Sequence, residues 1–213
     1  MTLDLGLYLV LDPGLCRDRG MVETARLAVA GGATIVQLRD KDADTARLIE
    51  AGRALRTALA GSGAMLIVND DVEAALAIGA DGVHVGQDDM DPGEVRRRLG
   101  PRALLGLSVE TVDAAQRVDP VLVDYAGAGP VFATATKPDH KPPVGFAGLA
   151  EIVRACPVPV VAIGGLAAGH ADAVRASGAM GMAVVSAICG QADPRAAARA
   201  MAQAWQAAVA AGG

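Results

Sequence analysis

Thr134, Thr136 and Lys137 set two hydroxyls and an ammonium within one short stretch, Gly129-Pro130-Val131-Phe132-Ala133-Thr134-Ala135-Thr136-Lys137. The stretch follows an apolar run, Val121-Leu122-Val123-Asp124-Tyr125, which is predicted as a strand. Donors that leave a strand end in a Gly/Pro frame and aim at one point suit an anionic ligand. The tail Pro138-Asp139-His140-Lys141-Pro142-Pro143 holds three prolines. Each lacks an N–H and biases its predecessor to extended shapes, so the tail is expected to be irregular and to cover a binding loop. The same residues also read as a surface turn with a stray lysine. What separates the two readings is whether other parts of the chain aim similar groups at the same place.

The elements that would position those groups are legible as alternating units. Apolar runs at Leu7–Leu11, Ile35–Leu38, Met65–Val68, Gly82–Val85, Leu104–Leu107, Val121–Tyr125, Val158–Ile163 and Met182–Val185 are continuous rather than alternating, as in parallel strands covered on both faces. Helical segments are predicted between them at Val22–Ala30, Thr45–Ala60, Val72–Ile78, Pro92–Leu99, Thr111–Val118, Phe146–Ala155, Ala171–Ala176 and Pro194–Ala210. Asp91-Pro92 and Asp193-Pro194 read as N-cap followed by N1. Ala30-Gly31-Gly32-Ala33, Ile78-Gly79-Ala80-Asp81 and Ser177-Gly178-Ala179-Met180 echo one another between helix and strand, with glycine expected as the left-handed helix end. Eight such units without a linker predict one α/β domain over residues 1–213, a single (β/α)8 TIM barrel, with a doubly wound sheet as the alternative.

In a barrel the C-terminal strand ends form the active face. Gln37, Arg39 and Lys41 would reach it after the second strand, Asn69 and Asp70 after the third, Asp88 and Asp89 after the fourth, and Ser108 after the fifth. Thr134, Thr136 and Lys137 would follow the sixth, Gly164-Gly165 the seventh and Ser186 the eighth. Carboxylates and cations in one mouth are reconciled by Mg²⁺ bridging Asp70 and Asp89 to a polyphosphate. Gly164-Gly165 and Val185-Ser186 sit where barrels often bind a phosphate monoester through backbone N–H groups. Blander readings stand beside these. Asn69-Asp70-Asp71 also suits a helix cap, Asp88 and Asp89 suit solvated loop acids with Asp91 as the cap, and Arg39 and Lys41 suit surface pairs with Asp40 and Asp42. His84 reads as a satisfied interior residue, His140 as solvent-facing, and His170 as a helix start. Met201 and Trp205 read as packing.

Composition removes other classes. The net charge of −5 lacks the clustered positive field of a nucleic-acid binder. Cys16, Cys156 and Cys189 are too widely spaced for a metal or disulfide framework and are expected as reduced thiols of a cytoplasmic protein. No signal core and no apolar run of about 18 residues is present, so no membrane span is expected.

Over nearly its full length the chain resembles the thiamine-phosphate synthase (thiamine-phosphate pyrophosphorylase) family. The resemblance rests on Tyr8-Leu9-Val10-Leu11-Asp12, Gln37-Leu38-Arg39-Asp40-Lys41, Asn69-Asp70, Gly82-Val83-His84-Val85-Gly86-Gln87-Asp88-Asp89, Gly129–Lys137, Ile163-Gly164-Gly165 and Val185-Ser186. It implies a transferase that joins 4-amino-2-methyl-5-hydroxymethylpyrimidine diphosphate to a thiazole phosphate, or its carboxylated form, and releases pyrophosphate. It further implies that Gln37, Arg39, Lys41, Asn69, Ser108 and Lys137 hold the pyrimidine diphosphate, with Arg39, Lys41, Ser108 and Lys137 carrying catalysis. Asp70 and Asp89 would hold one Mg²⁺ per subunit. Thr134, Ala135, Thr136, Gly165, Val185 and Ser186 would hold the thiazole phosphate. The partners implied are small molecules, with monomer and homo-oligomer both open. Ala133 and Val109-Glu110-Thr111 depart from the familiar pattern, where proline and a Thr-His-Thr-like run are common. A thiazole tautomerase-like isomerase needs no diphosphate site, and a non-catalytic thiazole-phosphate-binding barrel needs no metal carboxylates. Arg39, Lys41, Asp70, Asp89 and Lys137 together speak against both.

Overall fold

The computed structural model describes residues 3–134, 136 and 141–212. Eight parallel strands close into a barrel in sequence order: β1 (Leu7–Val10), β2 (Ile35–Leu38), β3 (Met65–Asn69), β4 (Gly82–Val85), β5 (Leu104–Val109), β6 (Tyr125–Ala128), β7 (Val160–Ile163) and β8 (Met182–Val184). Pairing of β1 with β8, Tyr8 opposite Ala183, closes the sheet and excludes the doubly wound alternative. The helices are α1 (Pro13–Cys16), α2 (Gly20–Ala30), α3 (Thr45–Leu59), α4 (Val72–Ile78), α5 (Pro92–Leu99), α6 (Val112–Gln116), α7 (Gly145–Ala155), α8 (Ala171–Ala176) and α9 (Pro194–Ala211). Among the described residues no helix is long and apolar enough to cross a membrane.

The strands read as unbroken apolar runs because each has two buried faces. Tyr8, Val10, Ile35, Ile67, Tyr125, Val161 and Ala183 pack inside the barrel. Their chain neighbours Leu7, Leu9, Val36, Leu66, Val68, Ala126, Val160 and Val184 pack outward against the helices. Helix starts follow cap chemistry. Asp91 accepts from the Glu94 amide ahead of Pro92, and Asp193 accepts from the Ala196 amide ahead of Pro194. The glycine echo holds with one change. Gly79 ends α4 at φ +66°, whereas after α2 it is Gly32, not Gly31, that takes positive φ. All three cysteines are free thiols, with buried Cys16 and Cys189 bringing their Sγ atoms to 3.7 Å.

The sixth strand is displaced from its expected position. Of the residues expected at Val121–Tyr125, only Tyr125 is in the strand; those before it turn instead, with the Asp119 carboxylate accepting from the Val121 amide and the Asp119 carbonyl from Leu122 and Val123. Val121 is 84 % exposed. The ladder runs through Tyr125-Ala126-Gly127-Ala128, a stretch without β-branched residues. Glycine suits position 127 because a Cβ on Gly127 would press against the His84 ring at 3.1 Å.

Candidate functional site

The C-terminal strand ends surround one pocket. Its lining includes Gln37, Arg39, Lys41, Asn69, Asp70, Asp89, Ser108, Thr134, Thr136, Gly165, Val185 and Ser186. Every described residue expected at the mouth is therefore there except Asp88. Ala135, Lys137 and the start of the proline-rich tail, with His140, lie outside the described residues.

The first side of the pocket is built by charge. Asp71, not Asp70, caps α4: its carboxylate accepts from the Ala74 amide at 2.8 Å and from the Thr45 hydroxyl at 2.7 Å. That releases Asp70, which sits at φ +62° with its carboxylate turned to the pocket. Positive φ in a residue with a Cβ is uncommon outside Asn and Asp, and it clusters at sites where geometry matters more than comfort. Lys41 reaches Asp70 Oδ2 at 3.5 Å, not Asp40 or Asp42, and Asn69 Nδ2 donates to the same oxygen at 2.5 Å. Burial, followed by the hydrogen bond and charge of Asp89, raises the Asp70 pKa to about 6, with Lys41 pulling it down in part. Asp91 is the cap of α5 and Asp89 is exposed, as the alternative reading had it, yet Asp89 is also held in place: it accepts from the Gly86 amide at 2.7 Å and acts on Asp70.

Two carboxylates crowded to this degree are relieved by a hard cation. Among the described residues no group of three or more His, Cys, Asp or Glu forms a metal site. The Asp70–Asp89 pair is thus suited to a cation that keeps most of its ligands as water or phosphate oxygens, the habit of Mg²⁺.

Opposite this side the pocket is made of backbone and hydroxyls. The Val131 amide donates to the Ile163 carbonyl at 2.9 Å and the Phe132 amide to the Gly164 carbonyl at 3.0 Å, strapping the segment after β6 to the end of β7. The strap requires Gly164 at φ +107°, where a Cβ would lie 2.6 Å from Pro130. Beyond it, Thr134 and Thr136 pair their hydroxyls at 2.8 Å. Phe132 packs edge-on to Phe146, with centroids 5.2 Å apart, and His170 closes the cluster at 5.0 Å from Phe132. His170 Nδ1 accepts from the Ala167 amide. After β8 a tight turn, with the Cys189 amide on the Val185 carbonyl at 2.8 Å, presents Val185 and Ser186.

A polar chain that sequence reasoning did not find crosses the pocket floor. Gln37 Nε2 donates to the Tyr8 hydroxyl at 2.7 Å, and the Tyr8 and Tyr125 hydroxyls meet at 2.9 Å. Tyr125 meets His84 Nδ1 at 3.2 Å, and His84 Nε2 meets Ser108 Oγ at 3.0 Å. Burial pushes both phenols well above their ordinary pKa and holds His84 down at about 4, so all three rings are neutral at neutral pH. His84 is satisfied, as expected, yet it also touches a pocket hydroxyl. The available signal was that both tyrosines of the chain fall at strand candidates.

Fold and mouth together define a (β/α)8 barrel with a ligand pocket at its C-terminal face, one side lined by carboxylates and cations and the other by hydroxyls and glycines. Comparison with known proteins places it further. Residues 7–188 match the thiamine monophosphate synthase family, and the chain belongs to that family. It is 52 % identical over 159 residues to the thiamine-phosphate synthase of Solidesulfovibrio magneticus, covering 75 % of each chain. It is 48 % identical over 165 residues to that of Azorhizobium caulinodans, covering 78 % of each. The solved structure of thiamine phosphate pyrophosphorylase from Pyrococcus furiosus superposes with a TM-score of 0.87 at 35 % identity, over 97 % of this chain and 98 % of the other.

Proposed function

We propose that the chain catalyses the reaction for which its family is named. It joins 4-amino-2-methyl-5-hydroxymethylpyrimidine diphosphate to 4-methyl-5-(2-phosphoethyl)thiazole, or its 2-carboxy form with loss of CO2, giving thiamine phosphate and pyrophosphate. The observation that carries this reading is one pocket lined on one side by Arg39, Lys41, Asp70 and Asp89 and on the other by Thr134, Thr136, Gly165 and Ser186. A joining reaction between two phosphorylated substrates needs two anion positions in one space.

In this reading Gln37, Arg39, Lys41, Asn69, Ser108 and Lys137 hold the pyrimidine diphosphate. Asp70 and Asp89 would hold Mg²⁺, which when bound neutralises phosphate charge. As the bond between the pyrimidine methylene and the bridging oxygen breaks, its electron pair leaves with pyrophosphate. Arg39, Lys41 and Lys137 stabilise that growing charge. The methylene cation left behind is stabilised by electron donation from the ring amino group. Thr134, Ala135, Thr136, Gly165, Val185 and Ser186 hold the thiazole phosphate so that the ring nitrogen lone pair forms the new C–N bond. Neutral His84 adds no positive charge beneath the cation. The apolar side chains of Val161 and Ile163 line the same pocket and offer no hydrogen bond to water as a competing nucleophile.

The test supplies both substrates with Mg²⁺ and measures pyrophosphate and thiamine phosphate. Equal yields of the two are expected. No product from correctly folded protein would sink the proposal.

A further inference from the structure

The chain from Gln37 to Ser108 has a direction. Each phenol carries one proton and a neutral imidazole carries one, so where each ring accepts on one side and donates on the other, one end sets every link. With Gln37 Nε2 donating to Tyr8, the Tyr8 proton goes to Tyr125 and the Tyr125 proton to His84 Nδ1. His84 must then carry its proton on Nε2 and donate it to Ser108 Oγ. The Ser108 oxygen is an acceptor on that side, and its own proton is directed away, toward the pocket that Ser108 lines. With the Gln37 amide reversed, every proton would run the other way and Ser108 would meet a ligand as an acceptor. An anionic diphosphate requires a donor there, which selects the first direction.

We propose that Tyr125 and His84 are positioning residues that carry hydrogen-bond direction from Gln37 to Ser108, so that the Ser108 hydroxyl donates to the pyrimidine diphosphate. The proposal rests on the functional reading above for its ligand and for the direction chosen, but that direction can be measured on the protein alone. A second observation supports a built device rather than accidental contact. The strand register sets His84 opposite Gly106 and Gly106 opposite Tyr125, so three neighbouring strands bring these residues to one level. A Cβ on Gly106 would overlap both the His84 and the Tyr125 rings. Glycine at the centre strand is what lets the two rings meet. Ser108 is separately anchored through its carbonyl, which accepts from Gln87 Nε2 at 2.6 Å. Its backbone is thereby held while the hydroxyl rotates to suit its partners.

Two measurements test this, and the first needs no substrate. In full-length protein with ¹⁵N-labelled histidine rings, the His84 signals, assigned by their loss in His84→Gln, are expected to show a protonated Nε2 and an unprotonated Nδ1. The opposite tautomer overturns the proposal whether or not the enzyme makes thiamine phosphate. The second is a double-mutant cycle. Tyr125→Phe and Ser108→Ala are each expected to raise KM for the pyrimidine diphosphate by about tenfold, and the double variant should lose no more than Ser108→Ala alone. His84→Gln, which keeps an amide donor near the Nε2 position, should lose less than His84→Asn. Additive losses from Tyr125→Phe and Ser108→Ala, or equal losses from the two His84 variants, would mean that the chain serves packing only. If no variant or wild type turns over, the functional reading fails while the tautomer result stands by itself.

Discussion

The two sides of the mouth solve the same problem with different materials. Around β2 to β5, charged side chains face one another closely enough to move protonation: Lys41 sits 3.5 Å from Asp70, and Asp89 and burial raise the Asp70 pKa to about 6. Around β6 to β8, the pocket uses paired threonine hydroxyls, a glycine at φ +107° and backbone straps. Charge suits a group whose charge grows and which then leaves. Neutral donors on a stiff backbone suit a group that must be held at a set distance while its far end reacts. The difference divides the pocket into a chemical side and a positioning side.

That division is most exposed to failure at Asp70. Asp70→Asn keeps a residue that tolerates positive φ and removes only the charge. It is expected to cut turnover by about 10²- to 10³-fold in steady-state assays, with an unchanged fold by circular dichroism. A near-normal rate would return Asp70 to a structural role.

Protonation should be perturbed on the first side, and stability against pH measures that. His84, held at about 4 in the fold against an ordinary 6.5, binds its proton more readily when unfolded. It therefore withdraws stability as pH falls from about 6.5 to 4, by on the order of 3 kcal/mol. Asp70, raised to about 6, works the other way, adding stability as pH falls from about 6 toward 4. In metal-free protein the difference between wild type and His84→Asn, followed by urea unfolding across that window, isolates the histidine. A difference that does not change with pH would contradict its half-buried neutral state.

On the second side, Ser186→Ala should raise KM for the thiazole phosphate by about tenfold and leave KM for the pyrimidine diphosphate unchanged. Equal changes in both would erase the boundary between the sides. The smallest effect is expected one residue from the largest. Asp71→Ala removes the α4 cap and should cost about 1 kcal/mol of stability in thermal or urea unfolding, with little effect on turnover.

That neighbouring pair also marks what the sequence could and could not reveal. Asp91-Pro92 and Asp193-Pro194 were legible because a cap and its first turn are local chemistry. In Asn69-Asp70-Asp71 two acids compete for one cap, and only the backbone, with Asp70 at φ +62°, decides which of them faces the pocket. Closure of eight units was foreseen from their alternation, but the sixth strand was placed too early. It runs through Tyr125-Ala126-Gly127-Ala128, where Gly127 leaves space for the His84 ring that reaches across from β4. The polar floor was illegible for the same reason: Tyr8 and Tyr125 are 117 residues apart in the chain, and nothing local announces that their hydroxyls meet. Side chains that reach the mouth from strand ends were readable once a barrel was assumed. Contacts across its interior were not.

The central claim is that one pocket holds two phosphorylated groups at once, on separate sides. Calorimetric titration of the thiazole phosphate into protein saturated with Mg²⁺ and pyrophosphate tests it most directly. The account predicts one thiazole phosphate bound per chain with affinity little changed by pyrophosphate. A thiazole phosphate that pyrophosphate displaces competitively would show that the two sides are a single anion site, and would contradict it.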